Sequence, residues 1–409
     1  MNYLTLKPVN EAVELFRGFA ALDAERVRVE SAVGRVLAED VASPEAVPAF
    51  DRATMDGYAV RARDTHGASE SMPAYLKVVG RVPMGAVFGR AIGSEEAAEI
   101  GTGGAMPEGA DAVVMVEYTR RAGGDVVEVV KAGAAGDSLI RRGEDIAEGG
   151  VMLRAGHALR VQDVGALAAV GIREVSVRRR PLVAILSTGN ELVATDATPG
   201  PGQVRDINSL CLARQVEALG GIATIAGIAR DDERELEAKL VKCAESADVV
   251  LLSGGSSVGA RDLTGTVFEK VGATIVLHGI SIAPGKPTIL ATWHGKPIVG
   301  MPGYPVSSMV VFWIFGAALL GALEGRPKAA DPMARAFPTR VEGRLVRNVA
   351  SKPGREDYVR VKVAPNGDVE PILLGTATLS TLMRADGLVR VPRELEGLAA
   401  GTAVNVFRF

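Results

Sequence analysis

Cysteine is nearly missing from this chain: among 409 residues only Cys211 and Cys243 carry thiols. Both fall in stretches of helical spacing, and their separation suits neither a metal site nor a redox pair, so a disulfide framework is excluded and a reducing cytosol fits. An excess of either charge is missing too. With a formal net charge of -3 the chain has no global attraction for nucleic acid or an anionic membrane, so an anionic ligand must be held by local loops and a few basic residues. Met1 to Arg17 mixes Asn, Lys, Glu and Arg into its apolar positions and therefore lacks the continuous apolar core of a signal peptide. Histidine is scarce, and His66, His157, His278 and His294 are scattered without an H-x-x-x-H spacing or a cysteine partner, which argues against zinc. Neither a Walker lysine motif nor G-x-G-x-x-G occurs, so the signatures of a P-loop nucleotidase and of a dinucleotide dehydrogenase are absent. Ser307 and Ser308 lie outside any G-x-S-x-G elbow, which sets aside a serine hydrolase.

One stretch resembles a membrane span, because Ile298 to Leu323 contains no charged residue. Pro302, Gly303 and Pro305 interrupt its first third, leaving a helix too short to span comfortably, and a buried helix beneath a sheet is predicted instead.

What is present is the balance of a folded protein, 47% apolar and 23% charged, in a chain longer than one core normally organises. Residues 1–37 have helical spacing around Val13, Leu15, Phe16 and Phe19, predicting a helical N-terminal segment. Residues 46–142 change to short β-rich runs, Tyr75 to Val79, Ala112 to Val116 and Val126 to Val130, separated by Gly and Pro turns. Helical spacing returns at Gln162 to Val170, and the basic triplet Arg178 to Arg180 before Pro181 marks a boundary. Beyond it apolar runs alternate with helices: Leu182 to Leu186, helix Asn208 to Leu219, Ile222 to Ile228, helix Asp232 to Ser246, Val249 to Leu252. That order predicts a doubly wound parallel sheet covered on both faces, with Asn208 as a helix N-cap. After Pro327 short apolar runs between turns predict a small β-barrel-like domain. The expected architecture is α/β and multidomain. It comprises an elongated helical N-terminal domain (residues 1–45 plus 146–178), a β-rich insert (46–145), the doubly wound domain (179–326) and the C-terminal β domain (327–409).

In an open parallel sheet ligands bind beyond the carboxyl ends of the strands. Three loops there are rich in Gly and Ser: residues 187–191 (Ser-Thr-Gly-Asn-Glu), 253–259 (Ser-Gly-Gly-Ser-Ser-Val-Gly) and 300–308 (Gly-Met-Pro-Gly-Tyr-Pro-Val-Ser-Ser). Glycines admit close backbone approach, and successive N–H groups with Ser hydroxyls make an oxyanion or phosphate cradle, although each loop alone reads equally well as a turn. Glu191, Asp231 and Asp262 accompany these loops. Carboxylates beside such a cradle fit magnesium, which takes one or two of them while bridging phosphate oxygens; Asp231 and Asp262 read singly as residues favoured at helix N-termini. Lys286 stands in Pro284-Gly285-Lys286-Pro287, a rigidly presented cation or a solvated turn lysine.

Taken together, several motifs in order resemble the molybdopterin molybdenumtransferase family, which includes the MoeA proteins and the gephyrin E domain. The markers are residues 34–40 (Gly-Arg-Val-Leu-Ala-Glu-Asp), 55–60 (Met-Asp-Gly-Tyr-Ala-Val), Thr102-Gly103 with 109–114, 142–146 (Arg-Gly-Glu-Asp-Ile) and the three loops. The resemblance covers nearly the whole chain. It implies a MogA-like middle domain and a cytoplasmic homodimer whose active site combines the middle domain of one subunit with the β-rich domain of the other. It implies insertion of molybdenum from molybdate into adenylylated molybdopterin with release of AMP, aided by Mg2+, and contact with the adenylyltransferase of the same pathway. Residues carried over as catalytic are Asp56, Thr102, Asp145, Glu191, Asp231 and Asp262, the two aspartates Asp231 and Asp262 also as metal ligands. Substrate contacts carried over are Thr188, Gly189, Ser253, Gly254, Gly255, Ser256, Ser257, Pro302, Gly303, Pro305 and Ser307; molybdate contacts are Lys286, Pro287, Arg360 and Ser380. The chain departs from many relatives at Tyr304, Ser256 and Ala283, where they carry Asn, Val, and Lys or Arg. A tungstate-specialised paralogue and a non-catalytic scaffold or molybdopterin-binding protein of the same fold are the alternatives. The adenylyltransferase itself shares the middle fold but would not need residues 1–180.

Overall fold

The computed structural model describes residues 6–254, 263–375 and 378–409. Its centre is a six-stranded sheet in the order Ile222–Ala229, Leu182–Thr188, Val249–Ser253, Lys296–Met301, Ile289–Trp293, Thr274–His278. The first four strands are parallel, as their continuous apolar runs predict. One strand departs from the all-parallel expectation: Ile289–Trp293 runs antiparallel to both its neighbours, Lys296–Met301 and Thr274–His278, while Thr274–His278 keeps the direction of the first four. The cause is local. Only His294 and Gly295 separate the two strands, and both take positive φ (48° and 80°), the geometry of a two-residue hairpin.

Alternate strand residues feed two cores. Val183, Ile185, Val249 and Leu251 meet helices Val9–Phe16, Asn208–Ala218 and Pro305–Leu323; Ala184, Leu186, Val250 and Leu252 meet helices Glu233–Ser246 and Leu263–Lys270. Period-2 alternation on a sheet buried on both sides requires apolar residues at every position, which is why these strands read as unbroken apolar runs.

Helix Pro305–Leu323 is 19 residues long, long and apolar enough to cross a membrane, yet most of it is buried inside the protein. It is longer than the prolines led us to expect, because Pro305 sits in its first turn, where the missing N–H costs nothing. A five-residue π-helical turn, Phe312–Gly316, lies within it; a Cβ on Gly316 would fall 2.4 Å from the Phe312 ring.

The N-terminal segment is less helical than expected. Among the described residues its one α-helix, Val9–Phe16, packs on the central sheet's helices, with the Phe16 and Phe315 rings 5.2 Å apart. The chain then enters strand Ala24–Arg28, antiparallel to Glu174–Arg178, and a short helix Val161–Ala169 covers that pair. Within residues 46–145 a six-stranded sheet runs Ala112–Met115, Gly57–Val60, Glu96–Ile100, Ala74–Arg81, Val126–Val129, Thr119–Gly123. At the C-terminus strands Glu356–Val363, Asp368–Pro371, Arg340–Leu345, Ala403–Arg408 and Gly387–Val391 close on themselves as a five-stranded barrel. Ile282–Ala283, from the central unit, adds to that barrel in parallel with Glu356–Asp357.

Candidate active site

The first and third predicted loops and the described start of the second, Ser253-Gly254, meet at the carboxyl ends of the parallel strands. At Gly254 an added Cβ would lie 2.2 Å from the Thr188 carbonyl oxygen, and one at Gly303 would lie 3.9 Å from the Gly254 Cα. Gly254 also has a φ of +104°, so both its conformation and its neighbour demand glycine.

Asn208 ties two of the loops together. Its side-chain amide donates to the Ser253 hydroxyl and to the Gly303 carbonyl, each at 2.8 Å. This corrects its expected role as an N-cap: Asn208 lies inside the helix, and Asp206 does the capping by accepting from the Ser209 N–H at 3.2 Å. Ser253 is buried, and the buried Asn208 Oδ1, Ser187 hydroxyl and Ser308 hydroxyl have no hydrogen-bond partner among the described residues.

Asp231 joins the first loop. Its carboxylate accepts from the Thr188 hydroxyl at 3.2 Å and from the Asn190 N–H at 3.3 Å, while its own N–H donates to Asn190 Oδ1 at 3.2 Å. The helix that follows is capped by its neighbour Asp232, which accepts from the Glu235 N–H at 2.9 Å. Two adjacent aspartates thus divide the work, the second serving the helix and the first facing the loop. Glu191 is exposed and its carboxylate folds back over Gly189, where a Cβ would stand 2.7 Å from Glu191 Oε2. Pro302 is buried, Pro305 starts the long helix, and Ser307 is buried within that helix. Gly255, Ser256, Ser257 and Asp262 lie outside the described residues.

The β-rich unit contributes a second arrangement. Asp56 precedes strand Gly57–Val60 and Thr102 follows Glu96–Ile100, and pairing of Gly57 with Ile100 brings them together. Asp56 Oδ1 accepts the Thr102 N–H at 2.6 Å and the Thr102 hydroxyl at 2.8 Å. The Thr102 N–H, and after it the hydroxyl, hold the Asp56 carboxyl below the usual carboxylate range. Asp145 is exposed in the turn after Glu144, its N–H donated to the Val47 carbonyl at 3.1 Å, and no hydrogen bond joins its carboxylate to the Asp56–Thr102 pair among the described residues.

Lys286 stands three residues before Ile289, which pairs with Gly300 near the carboxyl end of its strand, so the lysine leaves the sheet at the same edge as the loops. Lys286 is exposed, follows Gly285 with its φ of +120°, and has no carboxylate partner among the described residues. Pro287 is half-buried beside it. Ala283 pairs in register with Asp357 of the barrel. Arg360 is buried in the barrel, donates to the Leu374 carbonyl, and leaves its Nε unpartnered; burial works against its charge. Ser380 is exposed at the start of a short helix, Ser380–Arg384. Among the described residues no three metal-ligating side chains converge. Sequence reasoning missed the structural roles of Asn208 and Asp206; the D-x-x-S spacing of Asp206 and Ser209 was the signal that the cap lay two residues earlier.

The chain thus joins a doubly wound sheet, with glycine-rich loops at its strand ends, to a β-rich unit and a barrel, the architecture of a multidomain α/β protein. Three families match in order: the MoeA N-terminal region (domains I and II) over residues 7–171, a probable molybdopterin binding domain over 184–322, and the MoeA C-terminal region (domain IV) over 342–409. Two crystal structures of the molybdopterin biosynthesis MoeA protein from Pyrococcus horikoshii align with a TM-score of 0.83 each, at 38% and 32% identity, covering 99% of this chain and 99% and 100% of theirs. A putative molybdopterin biosynthesis protein of Methanocaldococcus jannaschii is 35% identical over 94% of this chain and 92% of its own length. Molybdopterin molybdenumtransferase 2 of Mycobacterium tuberculosis is 33% identical over 93% and 94% respectively. The chain belongs to the MoeA family of molybdopterin molybdenumtransferases.

Proposed function

We propose that this protein is a molybdopterin molybdenumtransferase that takes adenylylated molybdopterin and molybdate, inserts molybdenum and releases AMP. The observation that carries the reading is the convergence at the strand ends of the first and third loops with Ser253-Gly254 of the second, locked by Asn208 and edged by Asp231. Backbone N–H groups of the glycine loops, with Thr188 and Ser253, bind the pterin phosphate. Water attacks the phosphoric anhydride, its proton passes to a carboxylate, and AMP leaves. Glu191 orients that water, and Lys286 and Pro287, with Arg360 and Ser380 across the cleft, receive molybdate.

Magnesium suits the donors present. The hydrogen bonds to Asp231, at 3.2 and 3.3 Å, are long and leave its carboxylate lone pairs free, and a Mg2+ held largely by phosphate oxygens needs only one or two protein carboxylates. Asp231 and Asp262 would hold it, and bound there it would neutralise charge developing on the phosphoryl oxygens.

The site is completed in a homodimer. Asp56 and Thr102 are exposed on a sheet that shares no strand with the central one, so they, with Asp145, meet the loops of a second subunit. The enzyme works in the cytoplasm, receiving its oxygen-sensitive dithiolene substrate from the adenylyltransferase of the pathway.

Incubation with adenylylated molybdopterin, molybdate and magnesium should release AMP; none released under anaerobic conditions refutes the activity. Co-refolded Asp56→Ala and Asp231→Ala subunits should recover part of the activity that each lacks alone. No recovery would place both residues in one subunit's site.

A further inference from the structure

Six arginines line a cleft of about 370 Å³ that the proposed reaction does not use. Arg35 comes from the turn before residue 36, Arg178, Arg179 and Arg180 from the end of strand Glu174–Arg178 and its continuation, and Arg326 and Arg335 from the chain after helix Pro305–Leu323. Opposite them ends helix Asn208–Ala218.

Most of this charge is already matched. Arg179 makes two 2.6 Å bonds to Asp248. Glu324 takes Arg326 at 2.6 Å and Arg335 at 2.8 Å. The remaining lining carboxylate, Glu217, pairs outward with Arg214 at 2.8 Å. The carbonyls at the helix end are committed as well, since Arg335 donates to the Leu219 carbonyl at 2.5 Å. Arg35 pairs with Glu25 and donates to the Arg178 carbonyl at 2.8 Å.

Two guanidiniums remain without a carboxylate. Arg178 donates to the Leu22 carbonyl at 2.9 Å, which leaves its charge uncompensated. Arg180 is exposed and has no carboxylate within ion-pair distance among the described residues. Holding like charges together in one cleft costs energy that a multivalent anion returns, and a planar guanidinium binds phosphate oxygens in pairs. The volume lies in the range of small-ligand sites.

We propose that this cleft is a binding site for a pyrophosphate-type oxyanion, gripped by Arg178 and Arg180. An anion there bridges the strand pair Ala24–Arg28 and Glu174–Arg178 to the helix ends of the central unit, and so stiffens the junction between them. The ligand is either inorganic pyrophosphate or the phosphate tail of a nucleoside diphosphate, both offering the same oxygens.

The test is calorimetric titration of the full chain with pyrophosphate, ADP and sulfate at fixed ionic strength. Pyrophosphate should bind, and Arg180→Gln, at an exposed position where folding is not at risk, should weaken it by about tenfold or more. Arg178→Gln should do the same, and both variants should keep wild-type AMP release in the absence of the ligand. ADP matching pyrophosphate means that the phosphates alone are read, and ADP binding more tightly assigns the site to a nucleotide. Equal affinity in wild type and Arg180→Gln, or sulfate binding as well as pyrophosphate, overturns the proposal.

Discussion

Asp231 and Asp56 each accept two hydrogen bonds from a neighbouring loop, but the loops reach them in different ways. Asp56 takes both bonds on one oxygen, at 2.6 and 2.8 Å, across the ends of two antiparallel strands held in register by Gly57 and Ile100. Asp231 takes its bonds on different oxygens, at 3.2 and 3.3 Å, from a loop that follows a parallel strand. The shorter pair fixes a carboxylate in one orientation and one charge state. The longer pair leaves a carboxylate able to exchange a protein donor for a ligand. A parallel sheet gathers several loose strand ends at one edge, whereas an antiparallel turn fixes one group firmly, and a site drawing on both gains an adaptable side and a rigid side.

The comparison breaks most easily at Asp231. Replacement by alanine should lower AMP release by on the order of a hundredfold or more, the range for losing electrostatic stabilisation of the reacting phosphoryl group, with little change in melting temperature because the side chain is exposed. Near-wild-type turnover at saturating magnesium would reduce Asp231 to a loop residue.

A smaller effect is expected at Asn208, which joins the loops without reaching solvent. Asn208→Ala leaves the buried Ser253 hydroxyl and the Gly303 carbonyl without their donor, a cost of about 1–3 kcal/mol in urea unfolding, accompanied by a rise in KM. Unchanged stability would mean that the loops hold their places without it.

The smallest and most specific change belongs to the rigid side. Thr102→Val removes the hydroxyl and keeps the N–H, the larger of the two influences on Asp56, so the Asp56 pKa should climb part of the way back toward the ordinary carboxylate value. If Asp56 must be ionised for turnover, the acid limb of the pH–rate profile moves to higher pH and thermal stability stays level. A limb that does not move assigns it to another group.

Much of the central unit was legible because a strand buried on both faces must be apolar along its length, as residues 182–186 and 249–252 are, before the polar Ser187, Thr188 and Ser253 at the strand ends. The antiparallel strand was not, since the hairpin at His294-Gly295 interrupts a sequence that otherwise reads as one more crossover. The loops were visible as glycine-rich segments, but which polar residue serves the helix and which serves the site was hidden. Asp231 and Asp232, like Asp206 and Asn208, are equivalent capping types in sequence, and only the hydrogen bonds each makes in the folded chain separate them. The Asp56–Thr102 pair had no local signature at all. Its partners are 46 residues apart and were visible only through family resemblance.

The strand Ile282–Ala283 has a mechanical meaning. It is hydrogen-bonded into the barrel beside Glu356–Asp357, where the Glu356 N–H holds the Ser281 carbonyl at 2.9 Å, and three residues further along the same backbone stands Lys286. The barrel is therefore yoked to the lysine loop: any swing of the barrel against the central unit must either unzip this short ladder or drag the Lys286 backbone along, so that the two cannot move independently.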